Sequence, residues 1–228
     1  MKKLIITALA LFLAIGSSFS QAKKNIDADD FTSIGFAVMG ELEIEQGNSF
    51  RVVLEGDEDL LDAIKVKVTD GRLLISKPNW RQARNKKLYA YVTMPEIEGV
   101  SVSGSGRVIN SGSIKCDDVS LRVSGSGDID FDSFSAGNVK MSISGSGGLS
   151  MEGKGADMAD VSISGSGSVK ADDFKFEEAS VSVSGSGKCT LWVTEAIRAR
   201  ISGSGNVYVK GDPNIDSKSS GSGKIRKY

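Results

Sequence analysis

The tetrapeptide Ser-Gly-Ser-Gly restricts the fold of this chain more than any other feature, because it occurs seven times. Its copies begin at Ser103, Ser124, Ser144, Ser164, Ser184, Ser202 and Ser220. The spacing is nearly constant up to Ser184 and slightly shorter for the last two copies. A repeat of about 20 residues with strand-like patterning is typical of solenoid proteins, in which each repeat forms one unit that stacks on the next.

Apolar and polar residues alternate on both sides of each copy. The residue before the tetrapeptide is Val or Ile in the first six copies. The fifth residue after its first Ser gives the column Val108, Ile129, Leu149, Val169, Cys189, Val207 and Ile225. An alternation of period two indicates extended chain with one buried face and one exposed face. In this register we expect both glycines of each copy to point inward, where the chain bends, and both serines to point outward.

A second leg of each repeat carries small and apolar residues at two further positions. The positions eight and five before the first Ser hold Cys116 and Val119, Ala136 and Val139, Ala156 and Ala159, and Phe176 and Ala179. We therefore predict an all-β parallel β-helix, with matching strands of successive coils about 4.8 Å apart. The usual chirality of parallel crossovers favours a right-handed helix. A flexible Gly/Ser linker is disfavoured, because such linkers have no apolar columns to bury.

The N-terminal segment, residues 1–20, has the layout of a cleavable secretory signal. Lys2 and Lys3 precede an apolar run from Leu4 to Ile15, and small residues follow it. This run is shorter than the roughly 20 residues of a membrane-spanning helix, and no later stretch reads as transmembrane. We expect an exported protein, located in the periplasm, at the cell surface or outside the cell.

Residues 21–98 form a strand-rich N-terminal head, or irregular first coils, ahead of the repeat region at 99–228. The predicted strands are Phe36 to Ile44, Phe50 to Leu54, Ile64 to Val68, Leu73 to Ile75 and Leu88 to Met94. Turn signals occur at Gly47-Asn48, Asp70-Gly71 and Pro78-Asn79, and one helical turn is expected over residues 57–63. In the last copy Ser217 and Ser219 replace inward apolar residues, which predicts a C-terminal cap.

Charge and composition exclude several classes of function. Without Lys2 and Lys3 the chain carries 26 basic residues (28 minus 2) against 29 acidic ones, which argues against nucleic acid as a partner. The chain has no histidine, so a catalytic triad of the usual kind is impossible. We expect no catalytic residue, cofactor or metal site.

Acidic residues and cysteines each have an alternative interpretation. Acidic groups such as Asp128, Asp130 and Asp132 could bind calcium or act as a catalytic carboxylate pair, but a solvated edge is favoured because calcium needs six or more converging oxygens. Cys116 and Cys189 lie about four coils apart, near ~19 Å along the stack. A disulfide needs Cα atoms within about 7 Å, so we predict two free, buried thiols.

The outward face offers candidate binding residues. Trp192 and Tyr208 fall on the outward parity and could stack on sugars. The outward serines of the first five copies form two columns, Ser103, Ser105, Ser124, Ser126, Ser144, Ser146, Ser164, Ser166, Ser184 and Ser186. A flat hydroxyl lattice of this kind invites comparison with ice-binding β-helices, although serine lacks the methyl group of threonine. The basic segment Arg81 to Lys87, beside Trp80, could contact an anionic glycan or lipid headgroup, but a solvated loop is favoured.

Three segments together carry a resemblance to a known family. They are GDEDLLDAIKVKVTDGRLLIS at residues 56–76, YVTMPEIEGVSVSGSG at 91–106 and ISGSGNVYVKGDPNIDSKSSGSG at 201–223. The chain resembles the "putative auto-transporter adhesin, head GIN domain" family over essentially all of its mature length. The resemblance implies a β-helical domain of the cell envelope or exterior, with no established catalytic residues.

The leading hypothesis is therefore an exported, non-enzymatic β-solenoid that acts as an adhesin-like binding module of the cell envelope or surface. Its partner would be a glycan or another envelope or surface protein, and an oligomer is possible. A purely structural or assembly protein is the alternative, and an enzyme acting on polysaccharide comes third.

Overall fold

The computed structural model describes residues 22–77 and 86–228. The predicted signal segment, the turn at Pro78-Asn79, Trp80 and most of the basic segment lie outside the described residues. Within them the structure is almost entirely β. The strands are β1 Ala22–Ile26, β2 Ser33–Ala37, β3 Gly40–Gln46, β4 Arg51–Gly56, β5 Lys65–Thr69, β6 Arg72–Ser76, β7 Leu88–Met94, β8 Gly99–Gly104, β9 Arg107–Ser111, β10 Ile114–Lys115, β11 Asp118–Gly125, β12 Asp128–Ser135, β13 Asn138–Gly145, β14 Gly148–Gly165, β15 Ser168–Gly185, β16 Lys188–Gly203, β17 Asn206–Lys210, β18 Asn214–Gly221 and β19 Lys224–Lys227, and the helix α1 is Glu58–Ala63.

The seven copies of Ser-Gly-Ser-Gly lie directly above one another. Ser124 is in register with Ser103 below it and with Ser144 above it, and the alignment continues to Ser220. All these pairings are parallel. The predicted parallel β-helix, with one coil per repeat, is therefore confirmed. Each coil has two legs, which we call the first face (the leg that follows the tetrapeptide) and the second face (the leg that precedes it).

The core is a set of stacked columns inside the coils. The predicted column from Val108 to Val207 is at most 2% exposed at every position. A run of aromatic rings extends it: Phe131 to Phe134, Phe134 to Phe174 and Phe174 to Phe176 have centroids 5.4, 5.9 and 5.1 Å apart. Burial of these columns provides the main favourable term for folding.

The tetrapeptide forms a corner between the two faces. The prediction that both of its glycines point inward holds for the second glycine and is wrong for the first. Each strand of the second face ends at the first Gly of the copy, whose φ lies between 93° and 127°. This glycine is half-buried or exposed, whereas the second one is buried. A Cβ on Gly147 would lie 2.1 Å from the carbonyl oxygen of Gly127. The first glycine is thus required by backbone conformation and the second by close contact between coils.

A bulge in β15 explains why the spacing between copies shortens after Ser184. Ala171 pairs with Leu191, but the next paired residue of β15 is Lys175, opposite Trp192. Residues 172–174 therefore have no partner in the next coil. Phe174 turns into the core and is 0% exposed, while Asp172 stays half-buried at the surface.

The strands of the head stack on the repeat region, but not in chain order. β2 pairs in parallel with β6 on one side and with β8 on the other. β3 pairs in the same way with β7 and β9. The coil formed by β2 and β3 therefore lies between the coil of β6 and β7 and the first coil of the repeat.

Antiparallel strands cover the outer side of the coil formed by β6 and β7. β5 pairs with β6, β4 pairs with β7, and β1 pairs with β4. The helix α1 matches the predicted helical turn at 57–63, and its Leu60 and Leu61 are 2% and 4% exposed. The closed end of the stack thus has its own apolar contacts.

The predicted strand from Phe36 to Ile44 is wrong, because the chain divides there into β2 and β3. Gly40 has a φ of 149°, and a Cβ on it would lie 1.9 Å from the carbonyl oxygen of Leu88. The other predicted head strands agree closely with β4, β5, β6 and β7.

The last coil of the described stack consists of β18 and β19. Ser217 and Ser219 continue the inward columns of Ala199 and Ile201, and both serines are exposed. The Ser219 hydroxyl donates a hydrogen bond to the carbonyl of Gly223 at 2.8 Å. Polar side chains therefore occupy the end of the apolar column.

Candidate functional site

The two predicted aromatic residues lie on the first face, in neighbouring coils. Trp192 is in β16 beside Lys210, and Tyr208 is in β17 beside Thr190. Both side chains are half-buried. One coil step and two positions along the strand separate them, a Cα distance of roughly 8 Å.

A lysine ammonium group lies over one face of each of these rings. The Nζ of Lys210 lies 4.5 Å from the ring centroid of Trp192, and the Nζ of Lys188 lies 5.0 Å from that of Tyr208. Both distances fall within the range of cation–π contacts, about 6 Å. Each of the two aromatic side chains therefore contacts one cation.

Tyr208 lines a cleft of about 460 Å³, which we call the Tyr208 cleft. Its lining residues are Ser168, Val169, Lys170, Asp172, Lys188, Thr190, Tyr208 and Tyr228. Its volume falls within the roughly 300–1,000 Å³ of small-ligand pockets. The cleft combines aromatic rings, hydroxyl groups and cations, and it does not include Trp192.

Asp172, from the bulge of β15, is held at the edge of the cleft. The Tyr228 hydroxyl donates a hydrogen bond to its Oδ2 at 3.1 Å, and Lys210 Nζ donates to its main-chain carbonyl at 2.8 Å. Its Oδ1 is buried and has no hydrogen-bond partner among the described residues. Burial, the hydrogen bond to Asp172 and the charges of Asp172 and Asp173 raise the pKa of Tyr228 to about 12. Tyr228 therefore remains a neutral hydrogen-bond donor at physiological pH.

Sequence reasoning found Tyr208 but missed most of its neighbours. Lys170, Thr190 and Tyr208 all occupy the sixth position after the first Ser of their copies, and the structure pairs them in one column. Comparing the outward residues down that column would have grouped them. Asp172 could not be placed, because the bulge shifts it out of the repeat register.

The ten predicted serines lie at the corner of the coils, and both serines of each copy are exposed, as predicted. In each copy a glycine with positive φ separates the two serines. The two serines of a copy therefore do not lie on one straight strand, and a role of the serine columns in binding stays a prediction. The serine columns also lie apart from the Tyr208 cleft, whose lining begins beyond the corner at Ser168.

Both cysteines are free. Cys189 is fully buried in the column between Val169 and Val207, and burial raises the pKa of its thiol. Cys116 is only half-buried, which corrects the expectation of two buried thiols. Burial, followed by the charges of Asp117 and Asp118, raises the pKa of Cys116 to about 11.

Several acidic residues, among them two of the candidate calcium ligands, contact neighbouring groups. Asp130 pairs with Arg107 at 2.7 Å, and Asp128 accepts a hydrogen bond from the backbone N–H of Gly148 at 2.9 Å. Asp57 and Asp59 pair with Lys86 at 3.5 and 3.4 Å. Within the described residues, His, Cys, Asp and Glu form no group of three or more that could hold a metal ion.

A larger groove of about 730 Å³ lies at the edge of the second face. Its lining includes Cys116, Asp117, Asp118 and the exposed Met158, but none of its lining residues is aromatic. It contains none of the predicted binding residues. Size alone therefore does not identify the site, and the chemistry of the lining favours the Tyr208 cleft.

These features define a class of protein: a β-solenoid with a ligand-sized cleft on one face. The chain belongs to the family described as "putative auto-transporter adhesin, head GIN domain", whose sequence profile matches residues 30–213. The resemblance in the sequence analysis is thereby confirmed. A comparison with curated proteins finds no match.

Solved structures of similar fold come from Bacteroides and Parabacteroides species. A crystal structure of a putative adhesin from Bacteroides fragilis has a TM-score of 0.85 and 24% identity, and covers 92% of this chain and 98% of its own. A putative lipid binding protein from Parabacteroides distasonis has a TM-score of 0.74, 24% identity and the same coverage. A putative adhesin from Parabacteroides merdae has a TM-score of 0.69 and 21% identity, and covers 92% and 97%. These similarities show a shared fold.

In the part of the chain that the structure describes, no helix has the length and apolar character needed to cross a membrane.

Proposed function

We propose that this protein is an exported, non-enzymatic, adhesin-like binding module of the cell envelope or surface, and that it binds glycan through the Tyr208 cleft. The observation that carries the proposal is the position of Tyr208, an outward aromatic ring that lines a ligand-sized cleft with hydroxyl and amino groups around it. Membership of an adhesin-like family supports an exported or surface protein.

The lining suits a saccharide chemically. The apolar face of a sugar ring can pack on an aromatic ring, which combines a large apolar area with a polar tip. Sugar hydroxyls need donors and acceptors that fix their orientation. Thr190, Ser168 and Tyr228 supply hydroxyl groups at the cleft.

The carboxylates near the cleft do not support an enzyme acting on polysaccharide. Glycoside hydrolysis commonly uses a pair of carboxyl groups on either side of the scissile bond. Asp172 is the one carboxylate among the described lining residues, and Tyr228 occupies its Oδ2. Neighbouring Asp173 pairs with Lys210 at 3.5 Å. Binding without chemistry is the simpler use of this arrangement.

A glycan array with the mature protein tests the proposal. We expect defined hits that are lost in Tyr208→Ala and weakened in Trp192→Ala, because the second ring lies beside the cleft and not in it. Tyr91→Ala is the matched control: Tyr91 is an outward tyrosine, 40% exposed, on the first face at the other end of the stack. A silent array, together with self-association of the protein, would instead favour a structural or assembly protein.

The cellular location needs its own experiment. Fractionation combined with protease treatment of intact cells should show the protein in the envelope and accessible from outside. A protein protected in the periplasm would contradict the adhesin-like part of the proposal, while leaving glycan binding open to the array.

A further inference from the structure

We propose that the ligand of the Tyr208 cleft is an acidic saccharide, carrying carboxylate, sulfate or phosphate groups. The inference rests on the proposed glycan-binding function and specifies its ligand class. The supporting observation is a group of cations on the first face that have no carboxylate partner among the described residues.

Two lysines of the cleft have no acidic partner within the described residues. Lys170 lies in the same column as Thr190 and Tyr208, and Lys188 extends over the Tyr208 ring. Neither forms an ion pair with a described carboxylate. One coil step and two positions along the strand separate them, so their Cα atoms lie roughly 8 Å apart. Both ammonium groups are therefore available to one bound ligand.

One acidic residue, Asp172, lines the cleft and keeps its negative charge, whereas two others near it form ion pairs. Asp172 accepts the hydrogen bond of Tyr228, and Asp173 pairs with Lys210. Asp212, at the end of the same face, forms an ion pair with Lys227. None of these carboxylates forms an ion pair with Lys170 or Lys188, and the cations near the cleft outnumber its one free carboxylate.

The coil above the cleft adds two more cations. Lys224 and Arg226 of β19 lie in register with Asn206 and Tyr208 of β17. Lys224 is exposed and Arg226 is at the surface, and neither forms an ion pair with a described residue. Among the described residues, four cations without a carboxylate partner thus lie on the last coils of the first face, close to one tyrosine ring.

The other end of the same face carries mixed charges. Glu43 and Glu45 line a groove there together with Lys23 and Arg51, and Asp130, between the two ends, pairs with Arg107. The group of four cations without a carboxylate partner among the described residues is therefore a feature of the Tyr208 cleft and the coil above it, not of the whole face. A concentrated positive surface attracts anionic ligands and strengthens their binding at low ionic strength.

The cations and the Tyr208 ring together indicate the chemical class of the ligand. An anionic group gains charge-assisted hydrogen bonds from the lysines, and a ring beside it gains contact with Tyr208. A neutral sugar would leave the cations unpaired, and a small inorganic anion would not use the aromatic ring. A saccharide with ionised groups uses both.

The test measures binding of the mature protein to polygalacturonate, to a heparin-derived oligosaccharide and to neutral dextran by biolayer interferometry. We expect binding to one or both acidic probes, weakening with added salt, and none to dextran. Lys170→Gln/Lys188→Gln should weaken acidic binding about tenfold or more, since hydrogen bonds to charged groups contribute substantially. Lys154→Gln/Lys218→Gln removes the same charge from other surfaces and should leave binding unchanged.

Each other result has a defined meaning. Equal binding of dextran, lost in Tyr208→Ala but retained in Lys170→Gln/Lys188→Gln, would overturn the acidic ligand and leave glycan binding standing. If the protein binds none of the saccharide probes, both proposals are overturned. Binding to phosphatidylglycerol vesicles that survives Tyr208→Ala would point to a membrane surface and overturn the saccharide. Circular dichroism confirms that each variant is folded.

Discussion

The two ends of the solenoid are built differently. At the closed end, antiparallel strands and the helix α1 cover the coil formed by β6 and β7. At the open end of the described stack, β18 is exposed along its whole length and the apolar columns finish in Ser217 and Ser219. This fold can therefore end its core either with added strands and a helix or with a change from apolar to polar side chains.

The two ends also differ in what the first face offers to a ligand. Tyr91 lines a groove of about 370 Å³ at the closed end, where Glu43 and Glu45 are balanced by Lys23 and Arg51. Tyr208 lines its cleft at the open end together with Lys170 and Lys188. The scaffold presents an aromatic ring at both ends, so the neighbouring charges decide which ligand each ring can accept.

The largest effect is expected from removing apolar contacts at the closed end. Leu60→Ala should lower the free energy of unfolding by about 3 kcal/mol, because it leaves a cavity beneath α1. Ile225→Ala, in the half-buried last coil, should cost roughly 1 kcal/mol, since less apolar area leaves water there. Urea denaturation followed by circular dichroism measures both. Equal losses would mean that the two ends contribute alike to stability.

A smaller difference in the loss of stability is expected between a corner glycine of an inner coil and one of the last coil. Gly147→Ala should cost about 2 kcal/mol, because its Cβ would meet the backbone of the coil below while another coil holds it from above. Gly223→Ala meets a similar contact, 2.3 Å from the carbonyl oxygen of Gly205. In the described stack no coil lies above it, so it can shift and should cost less than half as much. Denaturation midpoints that fall equally would show that the terminal coil is as rigid as the inner ones.

Replacing the two serines at the end of the apolar columns tests their role directly. Ser217→Val/Ser219→Val would extend the apolar columns to the exposed edge, and we expect concentration-dependent self-association in sedimentation velocity. Ser180→Val/Ser182→Val makes the same change on exposed positions of β15 and serves as the control. A monomeric variant at high concentration would show that the serines are not what keeps this edge from pairing.

The smallest effect is expected from lowering the pH. Bonds to Arg200 and Arg198 lower the pKa of Asp216, and the bond to Lys227 lowers that of Asp212. A lowered folded-state pKa gives stability above the unfolded pKa that is lost as pH falls through the folded value. We therefore expect the amides of β18 and β19 to lose hydrogen-exchange protection below about pH 4, before those of β2 and β3. Asp216→Asn should reduce the pH dependence of β18, and unchanged protection at low pH would contradict the assignment.

Much of the fold could be predicted because the repeat fixes its own register. Once the serines are aligned, the inward columns follow from parity, and Val108 and Val207 fall in the core as expected. Parity could not reveal that the first glycine of each copy adopts a positive φ, since a corner preserves the alternation on both sides. The head lacks the tetrapeptide before Ser103, so the order in which its coils stack leaves no periodic signal.

The candidate site was only partly predictable for a related reason. Parity placed Trp192 and Tyr208 outward, but it could not show that, of the two, Tyr208 lines a cleft. Asp172 depends on a local bulge, and its partner Tyr228 comes from a distant part of the chain. Contacts of this kind depend on side-chain reach between coils, which sequence alignment within the repeat does not contain.

The insertion of the β2 and β3 coil between two later coils has a consequence for how the chain folds. Ser33 pairs with Arg72 and with Gly99, both of which lie much further along the chain. Contacts between such distant residues form slowly, whereas each later coil only has to reach the coil made just before it. The head should act as the slow nucleus, after which coils add one at a time in the direction of synthesis. Whole coils can then be gained or lost during evolution without disturbing that nucleus.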